Sequence, residues 1–200
     1  MILCFSATGN SEHVARRIAA TDDRVMSIER FDAEAFRLAL AEGPCQLGFV
    51  APVYAWGLPI PMIEFLKTAD LSIAAGAKGG ERPYTFYVST YGSTTGQSAK
   101  FARDLLHEHG LELHAAMSVK MPDTWTPLFD LSDHQKVEGI NRTAEAQIDA
   151  VIDAVRERCT GPSRAPVCIM RVSRVWTAAY AADEQVCRRC WPLRRVWPLR

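Results

Sequence analysis

Alternation is the feature that most constrains this chain. Apolar runs of strand length are followed, time after time, by stretches whose apolar residues recur at helical spacing. Ile2–Phe5, Arg24–Ile28, Leu47–Val53, Tyr84–Ser89 and Leu113–Val119 read as strands. Helical stretches begin at Glu12 and Met62, and others cover Ala33–Ala41, Gln97–His109 and Glu138–Arg158. In the first of these, Val14, Ala15, Ile18 and Ala19 share one face, and Arg16 and Arg17 take the other. Leu47–Val53 is apolar almost throughout, the pattern of a strand covered on both sides. Strands that alternate with helices pair in parallel through right-handed crossovers. The expected fold is therefore α/β, a doubly wound five-stranded parallel sheet with helices on both faces. Ile73–Pro83, rich in Gly, Ala and charge, reads as a surface loop.

Composition narrows the function. At 48% hydrophobic and 9% aromatic residues the chain can bury a core, which excludes global disorder. No apolar run approaches the ~20 residues needed to span a bilayer. The chain starts inside a strand with no basic leader, so the expectation is a cytoplasmic protein with no membrane span. Charge is balanced at 23 basic and 23 acidic residues, but unevenly placed. Seven arginines, against Asp183 and Glu184 alone, lie from Arg171 onward, which leaves 16 basic and 21 acidic residues before it. An acidic body with a short basic tail is not the footprint of a nucleic-acid-binding face. Four of the six cysteines are scattered singly, as reduced thiols would be. None of the five histidines makes a metal-binding spacing; His107 and His109, two apart, face different sides of a helix.

In an open parallel sheet, ligands gather beyond the carboxyl ends of strands, where the strand order reverses. The first strand runs into Ser6-Ala7-Thr8-Gly9-Asn10-Ser11. Small residues there let backbone N–H groups close around an anion, hydroxyl and amide side chains add donors, and the following helix N-terminus favours negative charge. The loop has neither the Lys of a nucleoside-triphosphate loop nor the triple Gly of a dinucleotide fold, which points to a phosphate monoester. The plain alternative is a capped βα turn with Asn10 or Ser11 as N-cap.

An N-terminal strand, this loop and an amphipathic helix together resemble the flavin mononucleotide (FMN) phosphate loop of flavodoxins. From about Met1 to Arg158 the chain is similar to the flavodoxin half of the flavodoxin–ferredoxin fusion family. The resemblance implies that Ser6, Thr8, Gly9, Asn10 and Ser11 hold the phosphate of FMN. In the second loop, Ala51–Pro59, Pro52 precedes Tyr54 and Trp56, which can offer an aromatic face to a flat ring. Gly57 follows, and Gly reaches φ > 0 cheaply. The family stacks a Trp-Gly pair here on the flavin, with a peptide that flips on reduction, so the resemblance assigns that role to Trp56 and Gly57. Leu58 stands where many flavodoxins keep an acidic residue. The alternative is a Pro-rich turn plugged by aromatics. The third loop, Ser89–Gly96, lies where flavodoxins close the other flavin face, so the resemblance makes Tyr91 the candidate second stacking ring, and Thr90, Gly92 and Gly96 would offer backbone donors to the pyrimidine edge. The fourth segment, Met121–Trp125, either borders the exposed flavin edge or anchors the last helix.

Bacterial iron–sulfur runs read C-x₂-C-x₂-C-x₃-C-P. The tail keeps Cys187, Cys190 and the closing Trp197-Pro198, but Leu193 and Trp197 replace two ligands. It reads as a degenerate or truncated ferredoxin module, which divides the chain into 1–160, a flavodoxin-like domain, and 161–200, a linker and basic tail. Its two thiols read as a disulfide, a spare pair, or half a zinc site completed by Cys159 or Cys168. No catalytic residue and no metal ligand is assigned. The expected function is FMN-dependent electron transfer with an unidentified redox partner protein. The alternatives are an FMN-dependent NAD(P)H:quinone-type oxidoreductase, or a binding module that has lost its redox role.

Overall fold

The computed structural model describes residues 1–19, 24–42, 46–75, 82–127 and 129–160. The expectations for Cys45, Cys168 and the tail with Cys187 and Cys190 lie outside them. Five strands pair in parallel: β1 (Ile2–Cys4), β2 (Val25–Ser27), β3 (Gln46–Pro52), β4 (Tyr84–Tyr91) and β5 (Ala115–Lys120). Their spatial order is β2-β1-β3-β4-β5, the flavodoxin-like arrangement, with the reversal between β1 and β3. The helices are α1 (Asn10–Ile18), α2 (Ala33–Glu42), α3 (Ile60–Thr68), α4 (Ser72–Ala75), α5 (Ser98–Glu108) and α6 (His134–Arg156).

Side chains alternate across the sheet and so feed two cores. Ile2, Cys4, Val50, Phe86, Val88 and Met117 pack against α1 and α6. Leu3, Phe49 and Tyr87 point the other way, against Phe36 of α2, Met62 and Leu66 of α3, and Leu106 of α5. The first helix buries Val14, Ala15 and Ile18, as its sequence period requires. No helix among the described residues is long and apolar enough to cross a membrane.

Several boundaries differ from the sequence reading. β4 continues to Tyr91, because Thr90 pairs with Pro52 and Tyr91 with Lys120. Thr90 and Tyr91 are thus strand residues rather than loop residues. A helical turn, Ser72–Ala75, runs into the stretch expected to be a loop from Ile73 onward and buries Ala74. The last helix begins at His134 rather than Glu138, since the Asp133 carboxylate caps it by accepting the Lys136 N–H. Its first turn is polar and shows no apolar period.

Burial pushes the Cys4 thiol up to about 12, with Glu12 adding to the shift. In the native protein at pH 8, iodoacetamide should leave Cys4 unmodified, while denatured protein reacts there; peptide mass mapping reads the difference. Equal labelling of both forms would contradict this burial. The unfolded thiol ionises first, so this group's contribution to stability is intact below about pH 9. It is lost as the pH rises from there towards 12.

Candidate functional site

The site is built where β1 releases the chain. Gly9 is the N-cap of α1 at φ 93°, a left-handed conformation that glycine holds without strain. Having no side chain, Gly9 gives the helix no side-chain cap. Asn10 and Ser11 are therefore not the caps that a plain βα turn would use. Asn10 Nδ2 donates instead to the Pro122 carbonyl at 3.1 Å. The Ser11 hydroxyl meets that of Thr90 at 2.7 Å, both residues being buried. Gly9 N–H donates to Ser6 Oγ at 3.2 Å, and Thr8 Oγ1 lies 3.5 Å from Thr124 Oγ1. The first amides of α1 and the positive end of its dipole remain available to an anion.

After β3, Tyr54 and Gly57 close a two-residue turn. Tyr54 N–H donates to the Gly57 carbonyl at 3.0 Å, and Gly57 N–H to the Tyr54 carbonyl at 2.9 Å. The central residues are Ala55 at φ 45° and Trp56 at φ 63°. Two left-handed central residues are what a type I′ turn demands, and non-glycine residues tolerate it only with support. The positive φ thus falls on Ala55 and Trp56, and not on Gly57 as the sequence suggested. A Cβ on Gly57 would meet the partly exposed Phe101 ring at 3.2 Å, a tight contact.

The support comes from the next loop. Gln97 N–H donates to the Trp56 carbonyl at 2.7 Å, and Gly96, at φ 52°, lies against the same peptide. A Cβ on Gly96 would overlap the Trp56 backbone. Gly96→Ala should therefore lower stability by roughly 2–4 kcal/mol, adding a left-handed alanine to overpacking against backbone that cannot yield. A urea midpoint equal to the parent's would show that this turn is not braced here.

A cleft of about 490 Å³ opens beyond the ends of β1, β3, β4 and β5, within the usual range for small-molecule sites. Ser6, Thr8, Asn10 and Ser11 form one end of its wall. Pro52, Tyr54, Thr90, Tyr91 and Gly92 form another part. Four residues expected at the site do not line it: Gly9, Trp56, Gly57 and Gly96. Trp56 stands 63% exposed beside it, while the three glycines shape the loops. Tyr54, packed edge to face on Phe5 with 6.4 Å between ring centroids, has its phenol pushed up by burial.

All of Met121–Trp125 lies on the wall of the cleft. Sequence reading did not single out Asp123. Its carboxylate accepts the Trp125 N–H at 3.1 Å and the Ser93 hydroxyl at 3.5 Å. It is also the only charged side chain among the described residues of the wall. The available signal was an acidic residue next to a Met-Pro pair at a strand end.

No family model matches the chain, and no curated protein matches its sequence. Solved structures similar to it include a flavodoxin from the domain Archaea, 14% identical, with a TM-score of 0.46 over 75% of this chain and 96% of that one. The Trp repressor binding protein from Bacillus subtilis is also 14% identical, with a TM-score of 0.46 over 71% and 95%. The rubredoxin oxygen:oxidoreductase from the anaerobe Desulfovibrio gigas has the same identity and TM-score, over 74% of this chain but 35% of its own. The chain thus spans about a third of that protein's length. At such identities these are likenesses of architecture alone.

Proposed function

We propose that the cleft binds FMN without a covalent bond and that the protein carries electrons between partner proteins. One observation carries the reading. A single cleft at the point of strand reversal joins an uncapped helix N-terminus, ringed by neutral donors, to a wall of aromatic side chains.

FMN has a phosphate monoester at one end and a flat apolar ring at the other, and the cleft is divided in the same way. Ser6, Thr8, Asn10 and the first amides of α1 would hold the phosphate. Among the described residues no Lys or Arg lines the cleft, so hydrogen bonds and the helix dipole would carry its charge. Thr8 and Asn10 would release Thr124 and Pro122 to do so. Ser11 would stay with Thr90, whose hydroxyl it meets at 2.7 Å, and tie α1 to β4. Tyr54 and Tyr91 would offer ring faces, and the Gly92 backbone a polar edge. Gly9, Gly57 and Gly96 hold the loops in shape, and Trp56 stands at the rim. Bound FMN supplies the one- and two-electron chemistry, and the protein binds and orients it.

The test is titration of the purified protein with FMN, followed by the visible absorption and by quenching of flavin fluorescence. Saturable binding supports the reading; a spectrum that remains that of free FMN overturns it. Steady-state turnover of NAD(P)H with a quinone in the same sample would favour the oxidoreductase instead.

A further inference from the structure

We infer that Trp125 is the outer stacking partner of the flavin ring, and that Asp123 is the positioning residue that holds it there. The inference rests on the FMN reading above. Trp56 and Trp125 are 63% and 61% exposed, the most exposed large hydrophobic side chains among the described residues. Only Trp125 lines the cleft.

The backbone around Trp125 is pinned on both sides. Its N–H donates to Asp123 Oδ1 at 3.1 Å, and its carbonyl accepts the Phe129 N–H at 3.0 Å. Thr126 N–H donates to the Thr124 carbonyl at 3.0 Å. Asp123 is itself wedged in place. Its side chain occupies the space that a Cβ on Gly92 would fill, and Ser93 donates to its other oxygen. The segment is thereby fitted to the end of β4, where Tyr91 also faces the cleft.

An indole is a large apolar surface that gains by being covered, above all by another flat ring. Here the chain beneath it is already ordered, so covering it costs little further entropy. Trp56 lacks this setting, since its left-handed turn leaves it off the wall. A planar ligand seated among Tyr54, Tyr91 and Trp125 would cover the indole that solvent now surrounds. Asp123 would act through Trp125 and not on the flavin.

The test compares FMN binding to the parent with binding to Trp125→Ala, Trp125→Phe, Asp123→Ala, the Trp125→Ala/Asp123→Ala double variant and Trp56→Ala. Trp125→Ala should weaken FMN by about ten- to hundredfold and raise the emission of bound flavin. Phe at this position should restore most of the affinity. Asp123→Ala should weaken binding in the parent background and add no further loss once Trp125 is gone. Thermal midpoints should hold for Trp125→Ala, since an exposed ring carries little of the fold. Parent-like affinity and quenching in Trp125→Ala, or a loss confined to Trp56→Ala, would overturn the inference while leaving FMN binding intact. A parent that takes up no FMN would overturn the inference and the functional reading together.

Discussion

The protein should bind FMN about a hundredfold more tightly than riboflavin. The two ligands differ only in the phosphate, so the ratio isolates the loop from Ser6 to Ser11. A hydrogen bond to a charged group contributes roughly 1.5–3 kcal/mol, and several donors converge there. Two such bonds alone would give on the order of 10² to 10⁴ in affinity. Against this stand the bonds that must be exchanged. Asn10 leaves the Pro122 carbonyl and Thr8 leaves Thr124, each a neutral contact of roughly 1 kcal/mol. Among the described residues of the wall no side chain is cationic, which forgoes a direct ion pair. Two such bonds less these losses leave roughly 1–4 kcal/mol, a range that brackets a hundredfold. Calorimetric titration with both flavins, at one pH and ionic strength, measures it. Equal affinities would mean that the α1 N-terminus holds no phosphate and that ring stacking alone selects the ligand.

Phe86→Ala should lower stability by about 3–5 kcal/mol, the usual cost of deleting a fully buried aromatic ring. Phe86 is completely buried on the α1 and α6 side of the sheet. It stands opposite Gly48 of β3, and its ring lies where a Gly48 Cβ would be. That contact makes the sign of a second substitution depend on the first. In the parent, Gly48→Ala should destabilise, because its methyl meets a ring fixed in a packed core. In the Phe86→Ala background it should stabilise, because it fills space and relieves the roughly 0.5–1 kcal/mol that glycine costs inside a strand. Urea unfolding of the four proteins gives the coupling directly. Additive effects would show that ring and glycine do not share this space.

The order of strands and helices was legible because its signal is local. Val14, Ala15 and Ile18 announce the buried face of α1, and the run from Leu47 to Val53 announces a strand covered on both faces. The site was legible in part for the same reason. Ser6, Thr8 and Asn10, or Tyr54 and Tyr91, are unusual companions at strand ends whatever the tertiary structure. The places where reading failed are those where a distant partner decides. Strand β4 runs on to Tyr91 because β5 pairs with it there. Ala55 and Trp56 take the left-handed conformation because Gly96 and Gln97, some 40 residues on, brace the Trp56 peptide. Ser11 turns from capping its helix to Thr90, 79 residues away, and Asn10 to Pro122, 112 away. Gly92 makes room for Asp123, which fixes Trp125 on the wall of the cleft while Trp56 stands off it. Periodicity and residue type are written along the chain, so the sequence by itself determined which segments form the sheet and which loops meet at its end. Which loop presents its ring to the cleft, and which amide meets which carbonyl, depends on close approaches between segments far apart in sequence. No local preference encodes those approaches, and only the folded packing decides them.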